Sequence, residues 1–315
     1  MRAASDKRGA PPVTAEGAKI EVRRVLIVAN PAARGYAQTR LDAIVAALAG
    51  ADVYVEIRRS MQKGDVCATV AAIGAGFDVV AVHGGDGTIN EAVAGLRAIE
   101  DHAPALAIIA GGTVNVLARE TGARFAASEV AGDIMSGLAA PLHYGLANGQ
   151  PFVLMASAGL DAAVVHRVSP DLKRAIGKWA YIWAALVQKR HGRGPDVLAT
   201  VDGVTHACRI AICANAARYG GDFIVAPQTS ALRSGLQLVL VKDDSLAGLL
   251  RIGWRLLCGR DLAGAGVVSL AAAEVEVSAS AGVAAAQIDG DPFGATPLRV
   301  QAATRPLLLI TGRSA

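Results

Sequence analysis

The chain has 315 residues, 53% of them hydrophobic, and its formal net charge is +4 at neutral pH. This length allows two domains, each able to bury a core of its own. Charged residues interrupt each apolar run before it reaches the roughly 18 to 20 residues that a membrane span requires, which argues against a transmembrane helix. The four cysteines show no metal-ligand spacing, and we expect a cytoplasmic protein.

The first 19 residues contain basic residues and paired prolines but no apolar core. They do not have the pattern of a secretory signal. We expect residues 1–19 to form a disordered tail.

Strands and helices alternate along the first half of the chain. Buried strands are predicted over 24–30 and 79–82, each followed by a turn that contains glycine. Such alternation predicts a parallel, doubly wound sheet, in which ligands bind beyond the carboxyl ends of the strands. We therefore expect the turns after Asn30, His83 and Ala110 to converge on one site. The remaining predicted elements are a helix around 41–48, a strand over 52–57, a helix over 65–73, a strand over 105–110 and a short helix through 119.

The central stretch, 79–94, reads V-V-A-V-H-G-G-D-G-T-I-N-E-A-V-A. Gly84, Gly85 and Gly87 would let the backbone approach a ligand closely, and the following helix would present unpaired N–H groups to an anion such as a polyphosphate. Asp86 would repel phosphates unless a metal ion lies between them or the carboxylate takes a proton. It is therefore predicted to bind magnesium or to act in catalysis. Neither a Walker motif nor a G-x-G-x-x-G motif occurs, so P-loop enzymes and ordinary Rossmann dehydrogenases lose support.

The pattern changes near Leu142, where short alternating strands with tight turns begin. This indicates a second domain that is mainly antiparallel β-sheet with helices. Strands are predicted over 152–157, 196–202, 209–214, 236–241, 274–277 and 284–289, and helices over 172–190 and 246–257.

Positive charge is concentrated between residues 167 and 194, where seven basic residues and one acidic residue give a local net charge of +6. Trp179 and Trp183 lie one helical turn apart in this segment. They could pack in a core, or they could form an interfacial face for anionic membranes. No RRM, KH or zinc-finger pattern accompanies them, and we expect no nucleic-acid partner.

Six motifs follow one another along the chain: A-N-P-A-A-R-G at 29–35, H-G-G-D-G-T-I-N-E at 83–91, G-G-T-V-N-V-L-A-R at 111–119, A-G-L-D-A at 158–162, N-A-A-R-Y-G-G at 215–221 and I-D-G-D at 288–291. With these motifs the sequence resembles the diacylglycerol kinase catalytic-domain family, which includes bacterial lipid kinases and the sphingosine and ceramide kinases. The second motif is shared with NAD kinases and phosphofructokinases. The G-T-x-N-x-x-A-R signature is more specific and points to lipid kinases.

The resemblance implies a two-domain kinase whose cleft binds ATP with Mg²⁺ and whose second domain receives the lipid. The γ-phosphoryl group of ATP would pass to a hydroxyl of a diacylglycerol-like or sphingoid lipid. From the basic segment at 167–194 we expect peripheral association with an anionic membrane surface, and a homodimer is possible. The implied domains are an ATP-binding domain over 20–141 with about 304–315, and a β-rich lipid-binding domain over 142–303.

The resemblance also implies roles for individual residues. Asp291 takes the place of a glutamate that is the family's proposed proton acceptor, and Asp86 is the alternative base or the metal ligand. Asp161 is either a carboxylate at the active site or a helix N-cap. The residues implied to bind the nucleotide are Asn30, Gly35, Ser60, Gly84, Gly85, Asp86, Gly87, Thr88, Asn90, Glu91, Gly112, Thr113 and Asn115.

Three sites depart from the family pattern. Val116 and His143 stand where many relatives have aspartate, and R-S-G-L at 233–236 replaces a D-D-G-L loop that can hold a structural magnesium. We therefore expect no structural metal site. Two alternatives stay open: a soluble-substrate kinase such as an NAD kinase, and a degenerate protein that binds nucleotide or lipid without turnover.

Overall fold

The computed structural model of the chain describes residues 18–100, 102–167 and 194–312. By their contacts these residues form two compact units. The first contains the described residues up to Thr113, Gly122–Leu142 and those from Pro306 onward, and the second contains Val114–Thr121 and His143–Arg305. Residues 114–121, which the predicted boundaries assign to the first domain, group with the second unit.

The first unit is built on a mostly parallel sheet. Its strands are β1 (Ala18–Lys19), β2 (Arg24–Ala29), β3 (Tyr54–Arg59), β4 (Val79–Gly84), β5 (Ala105–Ala110), β6 (Leu138–Leu142) and β21 (Leu307–Ile310). Across the described residues their order in the sheet is β1-β6-β21-β5-β4-β2-β3, in which β3, β2, β4, β5 and β21 are parallel. Strand β6 pairs antiparallel with β21, and β1 pairs antiparallel with β6.

Helices cover both faces of this sheet. Helices α1 (Gln38–Ala49) and α5 (Ala127–Ser136) pack on one face, where alternate residues of β2, β4 and β5 complete the core. Helices α2 (Asp65–Ile73) and α3 (Asp86–Arg97) pack against each other near Gly95, where a Cβ atom would lie 2.7 Å from the Cys67 carbonyl oxygen. Because both faces are covered, β2, β4 and β5 are apolar along nearly their whole length.

The direction of the connections places a crevice in this sheet. The chain leaves β2 toward β3 on one side and leaves β4 toward β5 on the other. The turns after β2 and β4 therefore diverge at a topological switch point, which is where open α/β sheets bind ligands.

The second unit is mainly antiparallel β-sheet. Its sheet strands are β7 (Gly145–Ala147), β8 (Gln150–Phe152), β9 (Met155–Gly159), β10 (Val197–Val201), β11 (Val204–Cys208), β12 (Ile210–Ala214), β15 (Leu236–Val241), β16 (Val267–Ala272), β17 (Glu274–Ala279), β18 (Ala285–Ile288), β19 (Asp291–Ala295) and β20 (Leu298–Ala302). Within the described residues they form two antiparallel six-stranded sheets, ordered β11-β10-β17-β20-β7-β8 and β16-β15-β12-β9-β18-β19. Apolar residues of both sheets form one core, which makes a β-sandwich. Helices α4 (Val116–Glu120), α6 (Leu160–Arg167) and α7 (Leu246–Leu257) and the hairpin β13–β14 (Arg218–Tyr219, Phe223–Ile224) accompany it.

The predicted fold class, an α/β parallel-sheet domain followed by a mainly antiparallel β domain with helices, is confirmed. The helices over 65–73 and 246–257 and the strands over 105–110 and 236–241 have the predicted bounds. The rest of the predicted tail and the predicted helix over 172–190, with its two tryptophans, lie outside the described residues. No helix within the described residues is long and apolar enough to cross a membrane.

Two predicted elements are wrong in detail. Ala18 and Lys19, assigned to the tail, form β1 and pair with Ala139 and Leu138. The predicted strand over 152–157 is interrupted between β8 and β9, because the carboxylate of Asp289 accepts hydrogen bonds from three successive backbone N–H groups there. A ladder cannot use donors that a side chain already occupies.

Candidate active site

Hydrogen bonds join the turns at the carboxyl ends of the parallel strands in the first unit. Asn30, directly after β2, donates its backbone N–H to the His83 carbonyl of β4 at 2.9 Å. Its side-chain Nδ2 donates to Thr88 Oγ1 of α3 at 3.2 Å, and its Oδ1 accepts from Ala32 N at 3.0 Å. Asn30 therefore fixes the turn after β2 against the start of α3.

The glycines of these turns pack too closely for side chains. Gly35 N donates to the Gly111 carbonyl at 2.7 Å, and a Cβ on Gly35 would lie 2.9 Å from that oxygen. A Cβ on Gly84 would lie 2.5 Å from Thr88, and one on Gly85 would lie 3.2 Å from Gly112 Cα. Gly35 and Gly85 therefore lie close to neighbouring backbone, and Gly84 lies close to the Thr88 side chain.

These three glycines are not required by an unusual backbone conformation. Gly84, Gly85 and Gly87 do not have the left-handed φ values that favour glycine. Gly85 is extended, with φ −95° and ψ −175°, and precedes α3 as its N-cap residue. Gly87 is helical, and a Cβ there would meet nothing within 4 Å. Lack of room for a Cβ atom, not backbone strain, distinguishes Gly84 and Gly85, whereas Gly87 has open space beside it.

The first turn of α3 has the features of an anion site. The first intrahelical hydrogen bond runs from Ile89 N to Gly85 O at 3.0 Å. The N-cap residue, Gly85, has no side chain that could cap the helix. Asp86 is half-buried in this turn. Asn90 Oδ1 is buried without a hydrogen-bond partner among the described residues. Such a helix start binds phosphate through N–H groups and its partial positive charge.

Ser60 and Glu91 organise the loop after β3. Ser60 is buried, and its backbone N–H donates to the Ala29 carbonyl at 2.9 Å while its hydroxyl lies 3.5 Å from the same oxygen. Glu91 Oε2 accepts from Gly64 N at 3.0 Å. Glu91 therefore holds this loop in position. This contact is additional to the nucleotide-binding role that the resemblance implies for Glu91.

The turn after β5 is divided between the units. Gly111 N donates to the Gly84 carbonyl at 2.8 Å, which ties this turn to that after β4. Gly112 is half-buried and Thr113 is exposed. Asn115, with φ 52°, is the N-cap of α4 and belongs to the second unit. All the implied nucleotide residues except Asn115 belong to the first unit.

Sequence reasoning missed a buried polar cluster beneath these turns. The His83 ring is fully buried and stacks on Tyr36, with 4.9 Å between ring centroids. Neither ring nitrogen of His83 has a hydrogen-bond partner among the described residues. Arg40 Nη1 donates to the Ala110 carbonyl at 2.6 Å, while its Nε and Nη2 are buried without partners there. Burial lowers the pKa of His83 to about 4, and the charge of Arg40 contributes.

In the second unit, Asp161 lies at the end of a hydrogen-bonded chain. Ser157 and Gln287 are cross-strand neighbours on β9 and β18. Gln287 Nε2 donates to Ser157 Oγ at 2.7 Å, and Ser157 Oγ donates to Asp161 Oδ2 at 2.5 Å. Asp161 Oδ1 is buried without a partner among the described residues. Burial raises the pKa of Asp161, and the hydrogen bond from Ser157 opposes that rise. Asp161 is the second residue of α6, so it is not an N-cap.

The I-D-G-D motif forms a tight hairpin turn between β18 and β19. Ile288 pairs with Asp291, and Asp289 and Gly290 both have positive φ, 50° and 86°. The Asp289 carboxylate accepts from Val153 N at 2.9 Å, Leu154 N at 2.8 Å and Met155 N at 2.9 Å. Gly290 N donates to Gln287 Oε1 at 2.7 Å, which links this turn to the chain that ends at Asp161.

Asp291 follows that turn as the first residue of β19 and is exposed. The two aspartates of the motif therefore differ in environment. The Asp289 carboxylate accepts three backbone hydrogen bonds, and Asp291 is exposed to solvent. Only Asp291 of the two is accessible to a substrate.

Two residues that depart from the family pattern, Val116 and His143, lie within the packed structure of the second unit. Val116 is buried in α4, and the His143 carbonyl accepts from Asn215 Nδ2 at 2.9 Å. Burial lowers the pKa of His143. Across the ranges that the structure describes, no three His, Cys, Asp or Glu side chains cluster at a spacing suited to a metal ion.

The chain was compared with known proteins. Residues 24–147 match the family model described as the diacylglycerol kinase catalytic domain, and residues 155–311 match the YegS C-terminal NAD kinase beta sandwich-like domain. The chain is 30% identical over 224 residues to a diacylglycerol kinase of Bacillus subtilis, covering 70% of this chain and 73% of that protein. It is 28% identical to a Pseudomonas putida protein named "Probable lipid kinase YegS-like", covering 81% of this chain and 84% of that protein.

A solved structure of a diacylglycerol kinase has the same fold. A crystal structure of a diacylglycerol kinase from Bacillus anthracis matches with a TM-score of 0.77 and 25% identity, covering 93% of this chain and 98% of that chain. The fold and the family matches are those of a kinase of the lipid kinase type. The chain belongs to the diacylglycerol kinase family. Membership of a kinase family implies ATP as the co-substrate.

Proposed function

We propose that the protein is an ATP-dependent lipid kinase, which transfers the γ-phosphoryl group of ATP to a hydroxyl group of a diacylglycerol-like or sphingoid lipid. The observation that carries the proposal is the close packing of Gly35, Gly84 and Gly85 at the switch point of a parallel sheet. Helix α3 starts directly after Gly85, and the N–H groups of a helix start suit a polyphosphate. Family membership supports phosphoryl transfer as the reaction and a lipid as the acceptor.

The residues at the start of α3 fit a nucleotide and its metal ion. The N–H groups of this first turn would donate to phosphate oxygens, and Asn90 Oδ1, buried without a hydrogen-bond partner among the described residues, offers an oxygen on the same helix. Mg²⁺, when bound, neutralises phosphate charge, and Asp86 is the carboxylate of this turn that would hold it. One carboxylate is sufficient in principle, because Mg²⁺ is often held by one or two carboxylates together with substrate phosphates.

The chain's own contribution to the reaction is positioning and proton transfer. The turns hold the phosphates in place, and a carboxylate accepts the proton of the attacking lipid hydroxyl. Asp291 is our candidate for this base, because it is exposed and stands where the family has its proton acceptor. Asp86 is the alternative base. Asp161, with its carboxylate held by Ser157, is proposed to act on the lipid side of the reaction.

Incubation of the purified protein with γ-labelled ATP, magnesium and a total lipid extract tests the proposal. We expect the label in an organic-phase phospholipid whose unphosphorylated form is a diacylglycerol or a sphingoid base. Label transferred to NAD in a parallel reaction, with none in the lipid phase, would favour a soluble-substrate kinase. Nucleotide binding without a labelled product from either pool would favour a degenerate binding protein.

Variants of the two carboxylates assign the base. Asp291→Asn should lower kcat by about 10²- to 10⁴-fold with ATP affinity nearly unchanged, because a general base typically contributes that much. Asp86→Asn should impair use of the magnesium nucleotide with every acceptor. Asp291→Glu is the matched control, since it restores the family's residue, and it should keep part of the activity. Near-normal turnover of Asp291→Asn, with Asp86→Asn inactive yet still binding ATP, would make Asp86 the base.

A further inference from the structure

Helix α7 carries large apolar side chains that the fold does not bury. Leu246, Leu250, Trp254 and Leu257 are spaced by four, four and three residues, which places them on one face of the helix. Their side chains are 46%, 58%, 64% and 60% exposed. Gly248, which lies on the other side of the helix, is buried. We call these four side chains the apolar face of α7.

Positive charge lies beside this face. Between Leu246 and Arg260 the charged residues are Arg251, Arg255 and Arg260, and there is no acidic residue. Arg251 and Arg255 each follow an apolar-face residue directly, so each lies about 100° around the helix from it. Arg251 makes an ion pair with Asp243 at 3.2 Å, which offsets one of the charges.

The charge of Arg255 is not offset by its hydrogen-bond partners, because these are neutral backbone groups. Its Nη1 donates to the backbone carbonyls of Asp261 at 2.6 Å and Ala263 at 2.9 Å. A tryptophan and three leucines bordered by arginines form the pattern of a helix that lies in a membrane interface.

The size of the apolar face argues against a second copy of the chain as its occupant. With about 150–250 Å² for a large side chain, four side chains exposed to this extent present roughly 450 Å². A stable protein interface requires about 800 Å² from each partner. A bilayer has no such threshold, since an amphipathic helix binds by immersing its apolar residues and by attracting anionic headgroups.

We propose that the apolar face of α7 docks on an anionic lipid bilayer, with its leucines and Trp254 in the headgroup–acyl boundary and Arg255 and Arg260 at the headgroups. The inference rests on the proposed function, because a kinase for membrane lipids must reach its substrate in the bilayer. It names the surface that makes the contact. This surface is separate in sequence from the basic segment at 167–194.

The chain's three tryptophans permit a direct test. Replacing Trp179 and Trp183 by phenylalanine leaves Trp254 as the single reporter. Vesicles of phosphatidylcholine with phosphatidylserine should shift its emission to shorter wavelength, and vesicles of phosphatidylcholine alone should do so less. The shift should weaken in high salt, because headgroup attraction is screened. Emission at short wavelength before any vesicle is added would show that the chain itself covers Trp254, and would overturn the inference.

Vesicle sedimentation without nucleotide measures binding independently of catalysis. Leu250→Ser with Trp254→Ser should lower the partition coefficient by about tenfold for each side chain removed. The matched control is Val204→Ser with Val283→Ser, two residues of similar exposure, 56% and 65%, outside α7. The control should bind as the parent chain does, and equal losses in the two double variants would overturn the inference.

Two further readouts separate the possible failures. Sedimentation velocity should give the same oligomeric state for the parent chain and the α7 double variant. A change from dimer to monomer with unaltered vesicle binding would assign the face to a second copy. Phosphorylation of a detergent-dispersed short-chain lipid should survive in the double variant. If the parent chain phosphorylates no lipid but binds vesicles through Trp254, the proposed function fails and the docking surface stands.

Discussion

The variant Gly87→Ala distinguishes an effect on nucleotide binding at the start of α3 from an effect on the stability of the chain. Gly87 is helical, and a Cβ there would meet nothing within 4 Å. Alanine is more favourable than glycine inside a helix by roughly 0.5–1 kcal/mol. We therefore expect the free energy of unfolding of the variant to equal that of the parent chain or to exceed it by up to about 1 kcal/mol.

The same methyl group should weaken nucleotide binding. If phosphate oxygens lie against the N–H groups of this turn, the added carbon occupies part of their space. Overpacking of one methyl group typically costs about 1–3 kcal/mol, which corresponds to a loss of about tenfold to a hundredfold in ATP affinity. Stability and affinity should thus change in opposite directions.

Isothermal titration with ATP and magnesium, together with urea unfolding, measures both quantities. Gly132→Ala on α5 is the matched control, since Gly132 is also helical and its Cβ would also meet nothing within 4 Å. The control should gain similar stability and keep its ATP affinity. If Gly87→Ala binds ATP as tightly as Gly132→Ala does, phosphates do not lie against the first turn of α3, and the proposed cradle is wrong.

Two further predictions concern the second unit. Asp289→Ala should lower the free energy of unfolding by about 3 kcal/mol or more in urea titrations, because three backbone N–H groups lose their acceptor. Asp289→Asn, which keeps one carbonyl oxygen, should lose less, and equal losses would contradict this account. Burial raises the pKa of Asp161, so the folded chain holds that proton more tightly than the unfolded chain and stability falls as pH rises above the ordinary carboxyl pKa. Asp161→Asn should therefore gain stability relative to the parent chain between pH 4 and pH 8, while Asp202→Asn at an exposed turn should not.

The parallel-sheet half of the fold could be predicted because its signals are local. β2, β4 and β5 are apolar runs directly followed by asparagine or glycine, and both faces of the sheet are covered. Helix α5 was missed because its sequence, A-S-E-V-A-G-D-I-M-S, contains glycine and two serines, and its packing against α1 holds it in place. Tertiary packing overrides weak helix propensity in such a segment.

The site was predictable in its residue types and less so in their roles. The D-G pair of the I-D-G-D motif is a sequence signal for a two-residue hairpin turn, and it could have located the turn before Asp291. The break in the strand near Leu154 could not be foreseen, since the responsible carboxylate of Asp289 lies 135 residues away in the sequence. Nor does the sequence tell whether a glycine is needed for its φ or for close approach, which here is the reason at Gly84.

The buried His83 gives a last prediction, which links the stability of the chain to the turns that form the site. The folded pKa of His83 is about 4, lowered chiefly by burial, whereas an exposed histidine has a pKa near 6.5. Between these values only the unfolded chain binds the proton, so stability present above pH 6.5 is lost as pH falls toward 4. Between pH 7 and pH 5 this amounts to about 2 kcal/mol.

Replacing the ring tests that figure. His83→Gln removes the titrating group, so its unfolding free energy should fall by about 2 kcal/mol less than that of the parent chain between pH 7 and pH 5. His206→Gln on β11 serves as the control and should follow the parent chain. Because the His83 ring stacks on Tyr36 and a Cβ on Gly111 would lie 2.9 Å from it, its protonation should also loosen the glycine turns. The ATP affinity of the parent chain should therefore decline as the pH falls toward 4. This decline should be steeper than that of His83→Gln over the same pH range. Parallel stability curves for the parent chain and His83→Gln would show that the ring is not held neutral beneath the site.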